Sequence, residues 1–179
     1  MGIFDRFKKK EEEYDVTNLS VKDLNKNFIF DYNLSSWKVI DVFEYDWGDE
    51  FFTKEFKITD GDKTLFLHVE DDDELELTLS SKIKIRKIGE DIVDYIKQNK
   101  EPQKKLIYEN EEYILDEESP GYIRNMNTPD SWVELISWDY YNNEGNKTIC
   151  IEQFDDNKFD ASVGIIINDY EISNITPSK

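Results

Sequence analysis

The chain of 179 residues holds one cysteine, Cys150, and one histidine, His68. A single cysteine excludes an intramolecular disulfide and any zinc site built on four cysteines. A catalytic thiol would also need an activating partner, and the sequence offers only His68. Cys150 lies in Thr148-Ile-Cys-Ile-Glu, on the face opposite Ile149 and Ile151, and reads as a small strand residue. His68 falls between Leu67 and Val69, beside Phe66, and reads as a histidine on the outer or less buried face of a sheet. The 7 glycines form no phosphate-binding loop and no dinucleotide fingerprint, and there is no Gly-x-Ser-x-Gly. No apolar run approaches the ~20 residues of a membrane-spanning helix. Charge interrupts Ile3, Phe4 and Phe7, so no signal-peptide core is read and a cytoplasmic location is expected. Positive charge is scarce: 22 basic against 41 acidic residues leave a net charge of −19. That surface repels phosphates, so no nucleic-acid partner is expected, whereas a cationic partner or plain solubility fits.

What the chain does have is aromatic residues, 14% of the total, and a repeated alternation. In Gly61-Asp-Lys-Thr-Leu-Phe-Leu-His-Val-Glu-Asp-Asp-Asp-Glu-Leu-Glu-Leu-Thr-Leu, apolar residues recur at every second position on both sides of an acidic turn. Such a pattern predicts two strands burying one face. Laying Gly145-Asn-Lys-Thr-Ile-Cys-Ile-Glu-Gln-Phe-Asp-Asp-Asn beneath it without a gap sets Thr64 over Thr148 and Asp71-Asp72 over Asp155-Asp156. The hairpin therefore occurs twice, and the chain reads as an internal duplication.

Residues 1–13 read as a flexible apolar and basic leader, able at most to touch a membrane surface weakly. Ser20, with Asp23 three residues on, marks a short helical turn. Strands are predicted at Phe28 to Tyr32, Trp37 to Trp47, Phe51 to Ile58, Lys63 to Glu70, and Leu75 to Ile88 with a bend or break near Ser80-Ser81. Gly89 to Lys100 predicts the one helix, with Ile92, Val93 and Ile96 on one side and Pro102 beyond its end. The strands then replay from Lys105, interrupted by an irregular stretch from Ser119 to Asp130 that holds Pro120 and Pro129 and inside which Tyr122 and Ile123 can continue a strand. Tyr170 to Ile175 closes the chain as a last strand. The expected fold is mainly β: one domain, residues 14–179, of two tandem antiparallel meanders at about 28–88 and 105–175. They pack as a sandwich or close as a barrel, joined by a helix near 90–100.

Candidate chemistry is sparse. The acidic turns Glu70-Asp-Asp-Asp-Glu and Asp155-Asp-Asn lack the ligand spacing of calcium loops and read as solvated turns; no metal or other cofactor is expected. Carboxylate pairs, with Trp37, Trp47, Trp132 or Trp138 stacking on sugar rings, would suit a carbohydrate-active enzyme. No catalytic motif supports this, and the protein is read as no enzyme. Acids interleaved with aromatics in Phe43-Glu-Tyr-Asp-Trp and Ser137-Trp-Asp-Tyr-Tyr would suit an organic cation or polyamine. The candidate ligand residues are Tyr45, Asp46, Trp47, Trp138, Asp139 and Tyr140.

Landmarks along the chain, among them Trp37-Lys-Val, Glu44-Tyr-Asp-Trp-Gly, Leu67-His-Val-Glu, Tyr113-Ile-Leu-Asp-Glu, Ser137-Trp-Asp-Tyr and Ile151-Glu-Gln-Phe, resemble the DUF4178 family of bacterial proteins. The resemblance runs from about Tyr14 to Pro177. It implies a shared fold without a named reaction, and an accessory role near membrane-stress proteins of the phage-shock type or near polyamine chemistry. The expected function is therefore a non-enzymatic binding or adaptor protein with a protein partner, or a homo-oligomer paired through a free strand edge. The alternative is a module binding a cation or polyamine in an acidic, aromatic cleft between the repeats.

Overall fold

A computed structural model describes residues 18–155 and 157–178; the predicted leader, 1–13, lies outside them. The first meander holds β1 (Phe28–Tyr32), β2 (Ser35–Asp46), β3 (Phe52–Thr59), β4 (Thr64–Asp71) and β5 (Leu75–Ile83). After α1 (Ile92–Asn99), the second holds β6 (Lys105–Tyr108), β7 (Glu111–Asn125), β8 (Val133–Asn142), β9 (Lys147–Asp155) and β10 (Lys158–Ile167). The last strand is β11 (Ser173–Pro177). The strands lie in the order β11-β1-β2-β3-β4-β5-β10-β9-β8-β7-β6, and β2 also pairs with β7. That extra pairing closes β2, β3, β4, β5, β10, β9, β8 and β7 into an antiparallel ring, so the meanders form a barrel rather than a sandwich.

The ring has a pseudo-two-fold logic. β5 meets β10 with Ser80 opposite Gly164, which are equivalent residues when Gly61 is laid on Gly145. β2 and β7 are equivalent too: each follows a tight turn with two positive-φ residues, Asn33-Leu34 and Glu109-Asn110. Each also carries a register shift early in the strand, at Ile40 and at Asp116.

Alternation sorts the side chains. Leu65, Leu67, Val69, Leu77 and Leu79 join Phe56, Ile58, Trp37 and Val39 in one apolar cluster; Trp138, Tyr140, Ile149 and Ile151 form a second. The tail of each meander covers the other's cluster. Ile88, Ile92 and Ile96, from the segment after β5, pack into the second cluster, while Ile172 and Ile175, after β10, pack into the first. Both apolar faces thus lie outside the ring, and the alternate, polar positions face its interior.

Four expectations change. The fifth strand ends at Ile83 and passes into a 3-10 turn at Ile85–Lys87, without breaking at Ser80-Ser81. The irregular stretch is shorter than expected, because β7 runs without a break through Ser119 to Gly121, takes in Tyr122 and Ile123 as a continued strand, and ends at Asn125. Pro120 is tolerated there because at that point β7 pairs with β8 alone, β6 having ended and β2 not yet begun. At the C-terminus Asp169–Glu171 is a 3-10 turn, boxed by Asn168 and Glu171, and the last strand begins at Ser173. Finally, the face carrying His68 is the ring's interior and not an outer face. Among the described residues no helix is long and apolar enough to cross a membrane.

Candidate functional site

The ring encloses a cavity of about 390 Å³ to which all eight of its strands contribute. Its rim carries Trp47, Gly48, Asp49 and Phe51 after β2, and Asp116 to Pro120 of β7. Nine acidic residues line cavity and rim, among them Glu55, Glu70, Glu76, Asp139 and Glu152, against one lysine, Lys82.

Two phenol–carboxylate bonds cross between the meanders. Tyr45 donates to Oε1 of Glu152 at 3.0 Å, and Tyr141 to Oε1 of Glu76 at 2.9 Å. Lys82 Nζ donates to the other oxygen of Glu152 at 2.9 Å and lies 3.7 Å from Asp160. Burial works to lower the Lys82 pKa, but the charges of Glu152 and Glu55 and the bond to Glu152 overcome it and raise it, so Lys82 stays cationic. Ser137 donates to Asp139 at 3.0 Å and lies 3.3 Å from the Cys150 sulfur.

Among the described residues, the remaining acids of the cavity make no ion pair. Burial, then the charge of Glu152, pushes Glu55 up to about 7 against the opposing pull of Lys82. Burial pushes Asp139 up to about 6, with hydrogen bonds from Cys150 and Ser137 opposing, and raises Glu70, where the facing Glu76 adds to it. Glu70 and Glu76 are direct cross-strand partners, an unfavourable like-charge pair. Burial lowers His68 to about 4, so its imidazole is neutral at pH 7. Burial, then Asp139 and Glu152, drives the Cys150 thiol well up and away from thiolate chemistry.

Glu55 yields a signed prediction. Between about 4.5 and 7 the folded chain holds a proton that the unfolded chain has lost, so stability falls as pH rises through that window. Glu55→Gln removes this cost, and its melting temperature should exceed that of the wild type at pH 8, by the equivalent of about 2–3 kcal/mol, and match it near pH 4. Thermal unfolding followed by circular dichroism at both pH values checks this; a variant less stable at pH 8 would mean that Lys82 already balances Glu55.

Of the six candidate ligand residues, Tyr45, Trp47 and Asp139 line the cavity. Trp138 and Tyr140 are fully buried in the second apolar cluster, bonded to Glu118 and to the Gln103 carbonyl. Asp46 accepts the Gly48 N–H at 2.9 Å and shapes the turn at the rim. Of the other tryptophans, Trp37 is core and Trp132 lies under the Arg124 guanidinium, 4.4 Å from its ring. Asp71, in the first acidic turn, pairs with Lys22; Asp155, in the second, accepts the backbone N–H groups of Asn157 and Lys158. Among the described residues no three acidic, histidine or cysteine side chains are grouped to hold a metal. Sequence reasoning missed Glu55, Lys82 and Glu152; their only signal was a shared strand parity with His68 and Asp139.

An "Uncharacterized protein" of Aquifex aeolicus (strain VF5) is 25% identical over 184 residues, covering 99% of each chain. No solved structure matches significantly. The family described as "Domain of unknown function (DUF4178)" matches residues 26–169, which span the sheet from β1 to β10, and the chain belongs to that family.

Proposed function

We propose that this protein is a non-enzymatic binding module whose ring takes up a small organic cation. The observation that supports this is the imbalance inside the ring, where Glu55, Glu70, Glu76, Asp139 and Glu152 face one lysine, with four further acids at the rim. Building carboxylates into an enclosed space costs folding energy unless a cation balances them. Here Lys82 balances Glu152, while Glu55 and Asp139, pushed up to about 7 and about 6, ionise only above those values. At pH 8 both are carboxylates, which an entering cation would balance. A cavity of about 390 Å³ suits a small molecule and is far too small for a protein segment.

A thermal-shift series at pH 8 and physiological salt tests it, with spermidine, tetramethylammonium, magnesium and maltose as probes. A ligand at a hundred times its dissociation constant stabilises by about 2.7 kcal/mol, a rise of roughly 5–10 °C at this size. At least one organic cation should give such a rise, and maltose none. A flat response to every cation would remove the proposal.

A second reading, an adaptor with a protein partner in a membrane-stress system, is favoured by one surface feature. Asp46 pairs with Phe52 on one side and Tyr122 on the other, and both aromatics are 48% exposed. They point away from the ring's interior and offer an apolar contact row. If this row binds a partner, Tyr122→Glu should abolish the complex in a pull-down without altering cation-induced thermal shifts.

A further inference from the structure

His68 makes no hydrogen bond among the described residues, and its one ring contact is the edge of Tyr45 at 5.5 Å between centroids. It is enclosed by the ring, and the surface it keeps faces the cavity. Glu55 is its direct cross-strand partner, which places the two side chains within about 5 Å at Cβ on one face. A neutral imidazole has one donor and one acceptor nitrogen, and in part-buried His68 both are left for whatever fills the cavity.

Resting on the cation reading, we infer that the ligand carries N–H donors, as a primary ammonium or guanidinium, and that Glu55 and His68 receive this head group. Lys82 shows how the ring treats such a group: its ammonium sits between two carboxylates, Glu152 at 2.9 Å and Asp160 at 3.7 Å, and 5.5 Å from the Phe66 ring centroid. Glu55 and His68 likewise set two acceptors, a carboxylate and an imidazole, side by side on the ring's inner face. A quaternary ammonium would fit poorly. It has no N–H to give and relies on open aromatic faces, yet Tyr45 and Trp47 stack on each other at 5.2 Å and 15°, spending one face each.

The test is isothermal titration at pH 8 with 1,4-diaminobutane and with tetramethylammonium, on the wild type and on His68→Phe, which keeps a ring beside Tyr45 and removes the acceptor. The diamine should bind the wild type at least tenfold more tightly than tetramethylammonium, and His68→Phe should weaken the diamine about tenfold with little effect on tetramethylammonium. Equal affinities for the two cations on the wild type, or an unchanged diamine affinity in a folded His68→Phe, would overturn the head-group assignment while leaving the cation reading intact. Binding of neither cation would instead overturn the cation reading itself. Should His68→Phe not fold, His68→Leu replaces it, and the wild-type comparison decides on its own.

Discussion

Lys82→Met should be among the most damaging single substitutions, costing about 3 kcal/mol at pH 8. Removing one partner of a buried ion pair costs about 3–5 kcal/mol because the other charge stays buried and unpaired. The lower figure applies because the Lys82 side chain is 33% exposed, whereas that of Glu152 is 7% exposed. Methionine preserves much of the stem, so the loss reports charge more than packing. In the wild type the raised pKa of Lys82 keeps its contribution in place at every pH below the ordinary lysine range. In the variant Glu152 stays without its cation beside Glu55, which sheds its proton as pH rises through about 7, so the deficit should be larger at pH 8 than at pH 5. Chemical denaturation at both pH values measures this. A deficit independent of pH would show that Lys82 acts through packing alone. A second consequence follows from the proposed function: 1,4-diaminobutane should recover part of the lost stability at pH 8, by supplying the ammonium that the variant lacks.

Gly121→Ala should cost about 3 kcal/mol, a melting temperature lower by roughly 6–12 °C, through overpacking. A Cβ at Gly121 would lie 2.6 Å from Cε3 of Trp47 and 2.7 Å from the Asp46 carbonyl oxygen, and the second of these is backbone. Trp47 cannot easily yield, because its indole N–H donates to Thr53 at 2.9 Å and its ring stacks on Tyr45. The clash falls where β2 meets β7, with Asp46 opposite Tyr122, so it works against ring closure itself. Gly89→Ala is the control: its nearest contact would be 3.6 Å, an ordinary distance, and its stability should change by less than about 0.5 kcal/mol. Equal stability of the two variants would mean that Trp47 does not seal this seam.

The contrast between these two sites shows what could be read in advance. Strand positions were legible from alternation, and the duplication from the match of Gly61-Asp-Lys-Thr to Gly145-Asn-Lys-Thr. Alternation says which residues share a face but not which face meets water. Leu67 and His68 have opposite parities; in a single sheet the leucine would be core and the histidine outer. Closure through β2 and β7 turns the polar face inward, and the tails carrying Ile92 and Ile172 cover the apolar face from outside. The pairing of β2 with β7 joins residues about eighty positions apart and leaves no local mark. The candidate ligand residues divide for the same reason. Tyr45 and Trp47 share a parity and line the cavity, and Asp46 between them cannot; Asp139 lines it, and Trp138 and Tyr140 on either side turn to the apolar cluster. Pro120 misled because a proline inside a strand requires a local edge, and that edge exists only because β6 and β2 pair with different parts of β7.

The most direct test of a cation chamber within the ring is a crystal structure of the protein grown at pH 8 with 1,4-diaminobutane. The expected result is density for the amine enclosed by the eight strands, with a nitrogen within hydrogen-bond distance of Glu55 and His68. A ring interior holding water alone at saturating amine, or an amine bound only on the outer surface, would contradict it.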